Sequence, residues 1–581
     1  MKILLVALNA KYIHSNLALL SLRANSGKYR ENADILELSI NNSPDFAVSE
    51  IFRRKPDVVC FSCYIWNMEL IAKIIPVIKK VLPGAAVLLG GPEASYEYDG
   101  LFCLGADIIM IGEGEGTFFE LARYFIDKDI KLNDIKGIAY MEKGLVAATA
   151  GRPPLDLNSL VFPYDEEILK GLENKIIYYE SSRGCPFRCA YCLSSIEPGV
   201  RVVEGARLFS DLDFFIENKV KLVKFVDRTF NFSVDRAKKI WHYLIKNDKG
   251  FTKWHFEISG GLFDEEALEL LSGARPELFQ LEIGIQSANS GTLKSISRSQ
   301  KQDRLYENIK RLVAKGNIHV HLDLIAGLPE EGFKSFGNSF NEAVSLRPHM
   351  LQLGFLKLLK GSELRERQKV NEEIVYNQLP PYEVLYTKSL AYSDLLALKD
   401  IEEVFELYYN SGRFKNSVDF AQGLYETPFE FYQVFANYWR ERQYFNLYHG
   451  KNRQYEIFYE FCRVNELKDL LKLDFLLSEN AKALPAFMQE DMERFNKFYK
   501  NSGNLSKYLA FDGPPKLSAG KIRGFCNIAS FNIDAVSVNN RKYSDRPGHK
   551  LVVKALQSKQ VVLFDYREKP PRLTDISEAF L

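Results

Sequence analysis

The chain has 581 residues, 46% of them hydrophobic, with 76 basic and 75 acidic side chains giving a net charge of +1. That length exceeds one ordinary domain and implies two large units plus a smaller one; the balanced charge argues against a nucleic-acid or anionic-membrane surface as the main partner. Apolar runs are cut by pairs such as Lys79-Lys80, so no membrane span is predicted, and eight cysteines in so long a chain do not resemble a disulfide framework. A cytoplasmic location is expected.

In chain order, MKILLVALNA reads as a short first strand rather than a signal peptide, because Lys11 and Tyr12 follow without a clear cleavage site. KILLVAL, DILELSI, VVCFSCYI, AAVLLGG and DIIMIGE then alternate with helical patterns such as Leu70, Ile71, Ile74, Ile75 and Ile78. The alternation predicts an α/β fold with an N-terminal doubly wound sheet, Rossmann-like or flavodoxin-like, over 1–130. The hairpin-like GIAYMEKGLVAA and the proline-bearing GRPPLDLNSLVFP predict a linker over 131–174. Six further strands, KIIYYES, KLVKFVD, KWHFEIS, LFQLEIGIQ, HVHLDLIAG and MLQLGFLKLL, predict a partial (β/α)6 barrel over 175–365. From 366 to 581 the pattern is mainly helical and rich in Tyr and Phe, ending in the strand-like ASFNIDAVSV and KQVVLFDY. A helical core explains those aromatics first, and a substrate lid is the sharper alternative.

Polar and glycine clusters stand at the predicted ends of the first set of strands, where ligands bind in such sheets. They are Asn9 to Asn16, including His14; Ser62, Tyr64 and Trp66; Gly90 and Gly91; and Glu113 and Gly114. Glycines there admit close approach of backbone to a ligand. The plainer reading makes Tyr64 and Trp66 core aromatics and Gly90-Gly91 a turn. Cys60 and Cys63 sit inside an apolar strand and read as small buried hydrophobes. His319 and His321 share one face of the fifth barrel strand, either lining the barrel or filling it.

The strongest chemical signal is Cys185-Pro-Phe-Arg-Cys189-Ala-Tyr-Cys192, directly after KIIYYES and Ser182-Arg183-Gly184. Three thiolates on one tight loop can hold three irons of a four-iron cluster and leave the fourth iron open. A zinc site is the alternative, but zinc needs a fourth ligand, and His242 and His255 reach the loop only through the fold.

This C-x-x-x-C-x-x-C run, with Tyr191 before its last cysteine, resembles the signature of the radical S-adenosylmethionine superfamily. The resemblance implies a 4Fe-4S cluster on Cys185, Cys189 and Cys192, with S-adenosylmethionine chelating the open iron. Polar residues along the barrel are then implied to hold the cosubstrate: Tyr191, Asp227, Arg228, Thr229, Glu257, Gln286, Arg298 and Asp323. Asp and Gln can bond ribose hydroxyls and Arg298 can pair with a carboxylate, while capping or salt-bridging explains each residue singly. E-x-GIQS followed by DLIAGLP is similar to the coproporphyrinogen-oxidase-like and methylthiotransferase-like branches. DRTFN stands where the superfamily has a Gly-Gly-Glu stretch.

Together with the strand-end clusters, the order of domains resembles the radical S-adenosylmethionine enzymes that carry a cobalamin-binding domain ahead of the barrel. That resemblance implies cobalamin held by Asn9, His14, Ser62, Tyr64, Trp66, Gly90, Gly91, Glu113 and Gly114. In the cobalamin motif D-x-H-x-x-G, Tyr12 and Leu17 replace the Asp and Gly around His14, so Tyr64 and Trp66 are the candidates beneath the corrin. The activity implied is methyl transfer to an unactivated carbon or phosphorus centre through a 5′-deoxyadenosyl radical, with a reductant such as flavodoxin or ferredoxin. Rearrangement, cyclisation or oxidation with the same cofactors is one alternative. A cofactor-binding or sensory module without catalysis is another. A tRNA methylthiotransferase is disfavoured, because the N-terminal region lacks a further cysteine trio.

Overall fold

The computed structural model describes residues 1–580 except 197–198, 299–300, 372, 480–483, 491–492, 510–518 and 542–550. It divides into two compact units. Unit 1 comprises 1–312, 317–332 and 354–391, and unit 2 comprises 313–316, 333–353 and 392–581.

Unit 1 opens with strands β1 (Ile3–Asn9), β2 (Ala33–Ser39), β3 (Val58–Ser62), β4 (Ala86–Gly90) and β5 (Ile108–Met110). They lie in the parallel order β2-β1-β3-β4-β5, the flavodoxin-like form of the doubly wound sheet, with its switch point between β1 and β3. Strand alternation divides their side chains between two helix layers. Leu4, Val6, Leu8, Val59, Phe61, Val87 and Leu89 pack with Ile71, Ile74, Ile75 and Ile78 on one side. Ile3, Leu5, Ala7, Val58, Leu88 and Ile108 pack with Leu19, Phe118 and Leu121 on the other. The hairpin strands β6 (Ile138–Glu142) and β7 (Leu145–Ala148) add antiparallel to β5, so the sheet runs past the expected end of its domain into the expected linker.

The second sheet begins at β8 (Ile177–Tyr179). A short antiparallel pair, β9 (Ser182–Gly184) and β10 (Val200–Val202), brackets the cysteine loop. Then come β11 (Leu222–Phe225), β12 (Lys253–Ile258), β13 (Phe279–Gln286), β14 (His319–Ala326) and β15 (Met350–Phe355), in the sheet order β15-β14-β13-β12-β11-β8. β8 and β15 stand at the two edges, so the sheet is open, as a six-stranded partial barrel requires. β15 straddles the division between the units.

The segment after β15, with strands β16 (Ile374–Tyr376) and β17 (Val384–Thr387), returns to the first sheet within unit 1. The Tyr382 hydroxyl donates to Glu93 (2.7 Å), and Arg365 makes a two-pronged pair with Glu97 (2.9 and 2.6 Å). Unit 1 thus runs to Ala391, beyond the boundary expected at 365.

In unit 2 the helices Tyr392–Phe405, Pro428–Glu441 and Lys451–Cys462 bury Phe405, Tyr432, Phe435 and Phe458, and these rings account for the aromatic richness. Its antiparallel sheet has β18 (Cys526–Ile533), β19 (Ala555–Asp565) and β20 (Arg572–Asp575). ASFNIDAVSV is therefore strand only in its first half. Asp534 accepts from the Ser537 N–H and starts the helix Ala535–Asn539.

Candidate functional site

The ends of β1, β3 and β4 are shaped by their own side chains. Asn16 caps the helix Leu17–Ala24 by accepting from the Leu19 N–H (3.1 Å), and its amide reaches Ser62 Oγ (3.3 Å). Asn67 binds the turn after β3, accepting from the Tyr64 N–H (2.8 Å) and donating to Ser62 O (2.9 Å) and Leu8 O (3.1 Å). Gly91 has φ +105°, and a Cβ there would lie 2.6 Å from the Cys63 carbonyl oxygen. Only glycine permits this approach. Tyr64 and Trp66 stack face to face, with centroids 4.4 Å apart and planes 6° from parallel.

These turns open on a cavity of about 710 Å³ inside unit 1. Asn9, His14, Ser62, Tyr64, Trp66, Gly90, Gly91, Glu113 and Gly114 all line it. The opposite wall comes from the second sheet and includes Tyr178, Glu180, Arg183, Gly184, Leu193, Ser194 and Arg228. His14 does not stand free in this cavity, because its Nδ1 and the Tyr178 hydroxyl share a hydrogen bond of 2.6 Å. Burial, with Lys11 and Lys224 nearby, holds the His14 imidazole below its ordinary value, so the ring is neutral at pH 7.

Ion pairs tie the two walls together. Arg183 pairs with Glu115 and with Glu180 (2.9 Å), and Arg201 pairs with Glu113. Glu113 also accepts from the Leu155 N–H (2.7 Å). Burial works to raise the Glu113 and Glu115 carboxyls, but the arginines outweigh it and hold both below the ordinary range. Burial wins at Glu180, which stands at about 6. Sequence reading placed Glu115 in the cluster after the fifth strand but did not mark Tyr178, Glu180 or Arg183 as site residues, since the His14–Tyr178 and Arg183–Glu115 contacts join positions far apart along the chain.

The cysteine loop follows Gly184, whose φ is +95° and whose Cβ would strike the Gly199 carbonyl oxygen at 2.1 Å. Cys185, Cys189 and Cys192 are all free thiols, with Cys189 buried. Thr229 Oγ1 lies 3.4 Å from Cys185 Sγ, and Arg298 lies 3.6 Å from Cys189 Sγ and 3.4 Å from the Tyr191 hydroxyl. Gln286, at φ +70°, crowds the same corner: a Cβ on Gly284 would meet both Gln286 and Arg298. Gln286 Oε1 and Arg298 Nε are buried without a hydrogen-bond partner among the described residues. Among those residues, no three His, Cys, Asp or Glu groups converge as ligands of one ion; thiolates of a four-iron cluster each take a different iron and need not converge.

The remaining barrel residues are placed differently. Asp227 is fully buried, and its carboxylate accepts from the Ser181 N–H (2.8 Å) and the hydroxyls of Ser181 (2.6 Å) and Ser182 (2.7 Å). Both oxygens thus accept from within the chain, and the carboxylate anchors the segment after β8 to the turn after β11. Glu257 stands 3.9 Å from Lys224, and Asp323 stands 3.3 Å from His321 on the same face of β14.

Residues 3–122 match the B12 binding domain family, residues 179–343 the Radical SAM superfamily, and residues 372–553 a family described as a protein of unknown function (DUF4080). The chain is 25% identical over 346 residues to the cobalamin-dependent radical SAM methyltransferase TokK of Streptomyces tokunonensis, covering 55% of this chain and 49% of that protein. It is 26% identical over 325 residues to a 2-(S-pantetheinyl)-carbapenam-3-carboxylate methyltransferase of Streptantibioticus cattleyicolor, covering 51% and 46%. It thus spans about half the length of these curated relatives. The fold resembles that of the cobalamin-dependent S-adenosylmethionine radical enzyme OxsB, with a TM-score of 0.56, 14% identity, and coverage of 80% of this chain and 75% of that one. The chain carries, in order, a B12-binding domain, a Radical SAM domain and a DUF4080 region.

Proposed function

We propose that this protein is a cobalamin-dependent radical S-adenosylmethionine enzyme that transfers a methyl group to an unactivated carbon or phosphorus centre. One observation carries the reading: Gly184 ahead of Cys185, and Leu193 and Ser194 behind Cys192, line the same cavity as Tyr64, Trp66, Gly90 and Gly91. A corrin against the first sheet would therefore face the cluster loop across one shared, partly open cavity. When bound, the cluster and S-adenosylmethionine supply a 5′-deoxyadenosyl radical and cobalamin supplies the methyl group.

The chain's own residues have the following parts in this reading. Cys185, Cys189 and Cys192 hold the cluster. Gln286 Oε1 and Arg298 Nε, orphaned beside Cys189, turn to S-adenosylmethionine, because buried polar atoms need partners. Tyr64 and Trp66 offer a flat aromatic surface to the corrin. The Arg183 and Arg201 pairs fix the distance between the walls. An external one-electron reductant such as flavodoxin or ferredoxin, and a reducing cytoplasmic setting, complete the reading, and the eight free thiols support that setting. No helix among the described residues is long and apolar enough to cross a membrane.

The test uses the full chain, loaded anaerobically with cobalamin and cluster and supplied with S-adenosylmethionine and reductant. Both 5′-deoxyadenosine and S-adenosylhomocysteine are expected, and the Cys185→Ala, Cys189→Ala, Cys192→Ala triple variant should lose its iron and all deoxyadenosine formation. Deoxyadenosine without S-adenosylhomocysteine would overturn methyl transfer in favour of rearrangement, cyclisation or oxidation. Neither product, with both cofactors bound, would leave a binding module.

A further inference from the structure

The turn after β11 is held from both sides. Asp227 is fixed by Ser181 and Ser182, and Thr229 abuts Cys185. The Phe230 N–H donates to Glu257 O (2.8 Å), and Asn231 exchanges hydrogen bonds of 2.9 and 2.8 Å with the Ser259 backbone. Arg228 is thus presented by a turn whose neighbouring residues are all committed, an arrangement that aims a side chain with little freedom in its backbone.

Arg228 is exposed and lines the cavity, and its guanidinium makes no hydrogen bond or ion pair with any described residue. Of the two arginines lining that cavity, Arg183 is ion-paired with three glutamates and Arg228 with no described carboxylate. The lining carboxylates are taken: Glu113 by Arg201, and Glu115 and Glu180 by Arg183. The charge of Arg228 is felt on both walls. It opposes the burial that raises the Tyr64 hydroxyl on the first sheet, and the burial that raises the Glu257 carboxyl on the second. It therefore stands where the corrin-facing turns, the cluster loop and the inner face of the second sheet meet.

We propose that Arg228 anchors an oxyanion of the substrate, a carboxylate or a phosphate, and so holds the reacting centre between the corrin face and the cluster loop. The proposal rests on the function proposed above. A planar guanidinium matches either oxyanion through two parallel N–H donors and an opposite charge, a combination that a neutral or cationic substrate does not answer.

The experiment is a phenylglyoxal footprint of Arg228, read by peptide mass spectrometry on the full chain. It is run with and without cobalamin, cluster and S-adenosylmethionine, and then with acetate or inorganic phosphate, using chloride at matched ionic strength as the control. Arg228 should stay reactive with all cofactors bound and become about fivefold slower with one of the oxyanions. Protection by acetate identifies a carboxylate substrate, and protection by phosphate a phosphorylated one. Protection by S-adenosylmethionine alone, or by cobalamin alone, would assign Arg228 to that cofactor and overturn the proposal. So would protection by neither oxyanion, or by chloride as well as by either. Iron and corrin content of the same sample reports separately on the function above: a chain that takes up neither sinks that reading, and its apo footprint still decides whether Arg228 binds an oxyanion.

Discussion

The two parallel sheets of unit 1 are built from the same strand–helix alternation and put their chemistry in different places. The first buries its central strands on both faces: odd and even residues of β1 go to separate apolar layers, and the cavity's polar groups gather at the strand ends. The second is apolar on one face, as Phe279, Leu281, Ile283 and Ile285 of β13 show. Its other face carries Lys224, His255, Glu257, Glu282, His321 and Asp323. A sheet covered on both sides offers only its edge to a ligand, whereas an open, curved one leaves a whole face to be filled. That face also separates like groups. Glu257 and Glu282 are register partners on β12 and β13. Burial pushes Glu257 up to about 7, with Arg228 opposing. Glu282 resists the same burial through His255 (2.8 Å) and Lys224 (3.1 Å) and stands at about 2.

Gly91 carries the largest expected effect. Gly91→Ala would put a Cβ against the Cys63 carbonyl at a φ of +105°, straining the fold by about 3 kcal/mol. Corrin uptake, measured after gel filtration, should be lost while iron uptake by the cysteine loop survives. Unchanged corrin binding would mean that the strand ends are not the binding edge.

The two carboxylates of the second sheet test the face. Glu257 holds its proton in the folded chain up to about 7 against an ordinary 4.5, so its contribution to stability falls as pH rises through that window. Glu257→Gln should therefore stabilise the protein by about 1–3 kcal/mol at pH 8 and have little effect at pH 4. Glu282 is depressed to about 2, so its stabilisation is present above 4.5 and lost as pH falls toward 2. Glu282→Gln should cost about 2 kcal/mol at pH 7 and flatten the acid limb. Urea unfolding across pH checks both, and identical profiles would erase the contrast between the partners.

The smallest effect separates residues along the first sheet's edge. Trp66→Ala removes the ring stacked on Tyr64 and should weaken cobalamin binding about tenfold. His14→Ala loses a bond to Tyr178 and should leave affinity and absorption spectrum almost unchanged. Spectral titration reads both, and a larger loss in the His14 variant would make that imidazole the cobalt ligand.

Strand periods, the cysteine spacing and the polar clusters at strand ends were legible because each is a property of a few consecutive residues. Asn9, Ser62, Gly90 and Glu113 could be found that way, since a parallel sheet brings its C-terminal strand ends to one side whichever strands are neighbours. Partner choice was not legible. Asp227 reads like any polar strand end, and only the placement of β8 beside β11 gives it Ser181 and Ser182 as partners. The hairpin β6–β7 reads as linker until β5 supplies a free edge for it. Arg228 reads like its neighbours Asp227 and Thr229, as one more polar residue at a barrel strand end. It has no ion pair among the described residues, because the cavity-lining carboxylates Glu113, Glu115 and Glu180 pair with Arg183 or Arg201, and those pairs span 65 residues or more, apart from Glu180. Local sequence carries period and spacing, but long-range pairing is decided by which elements the topology makes neighbours.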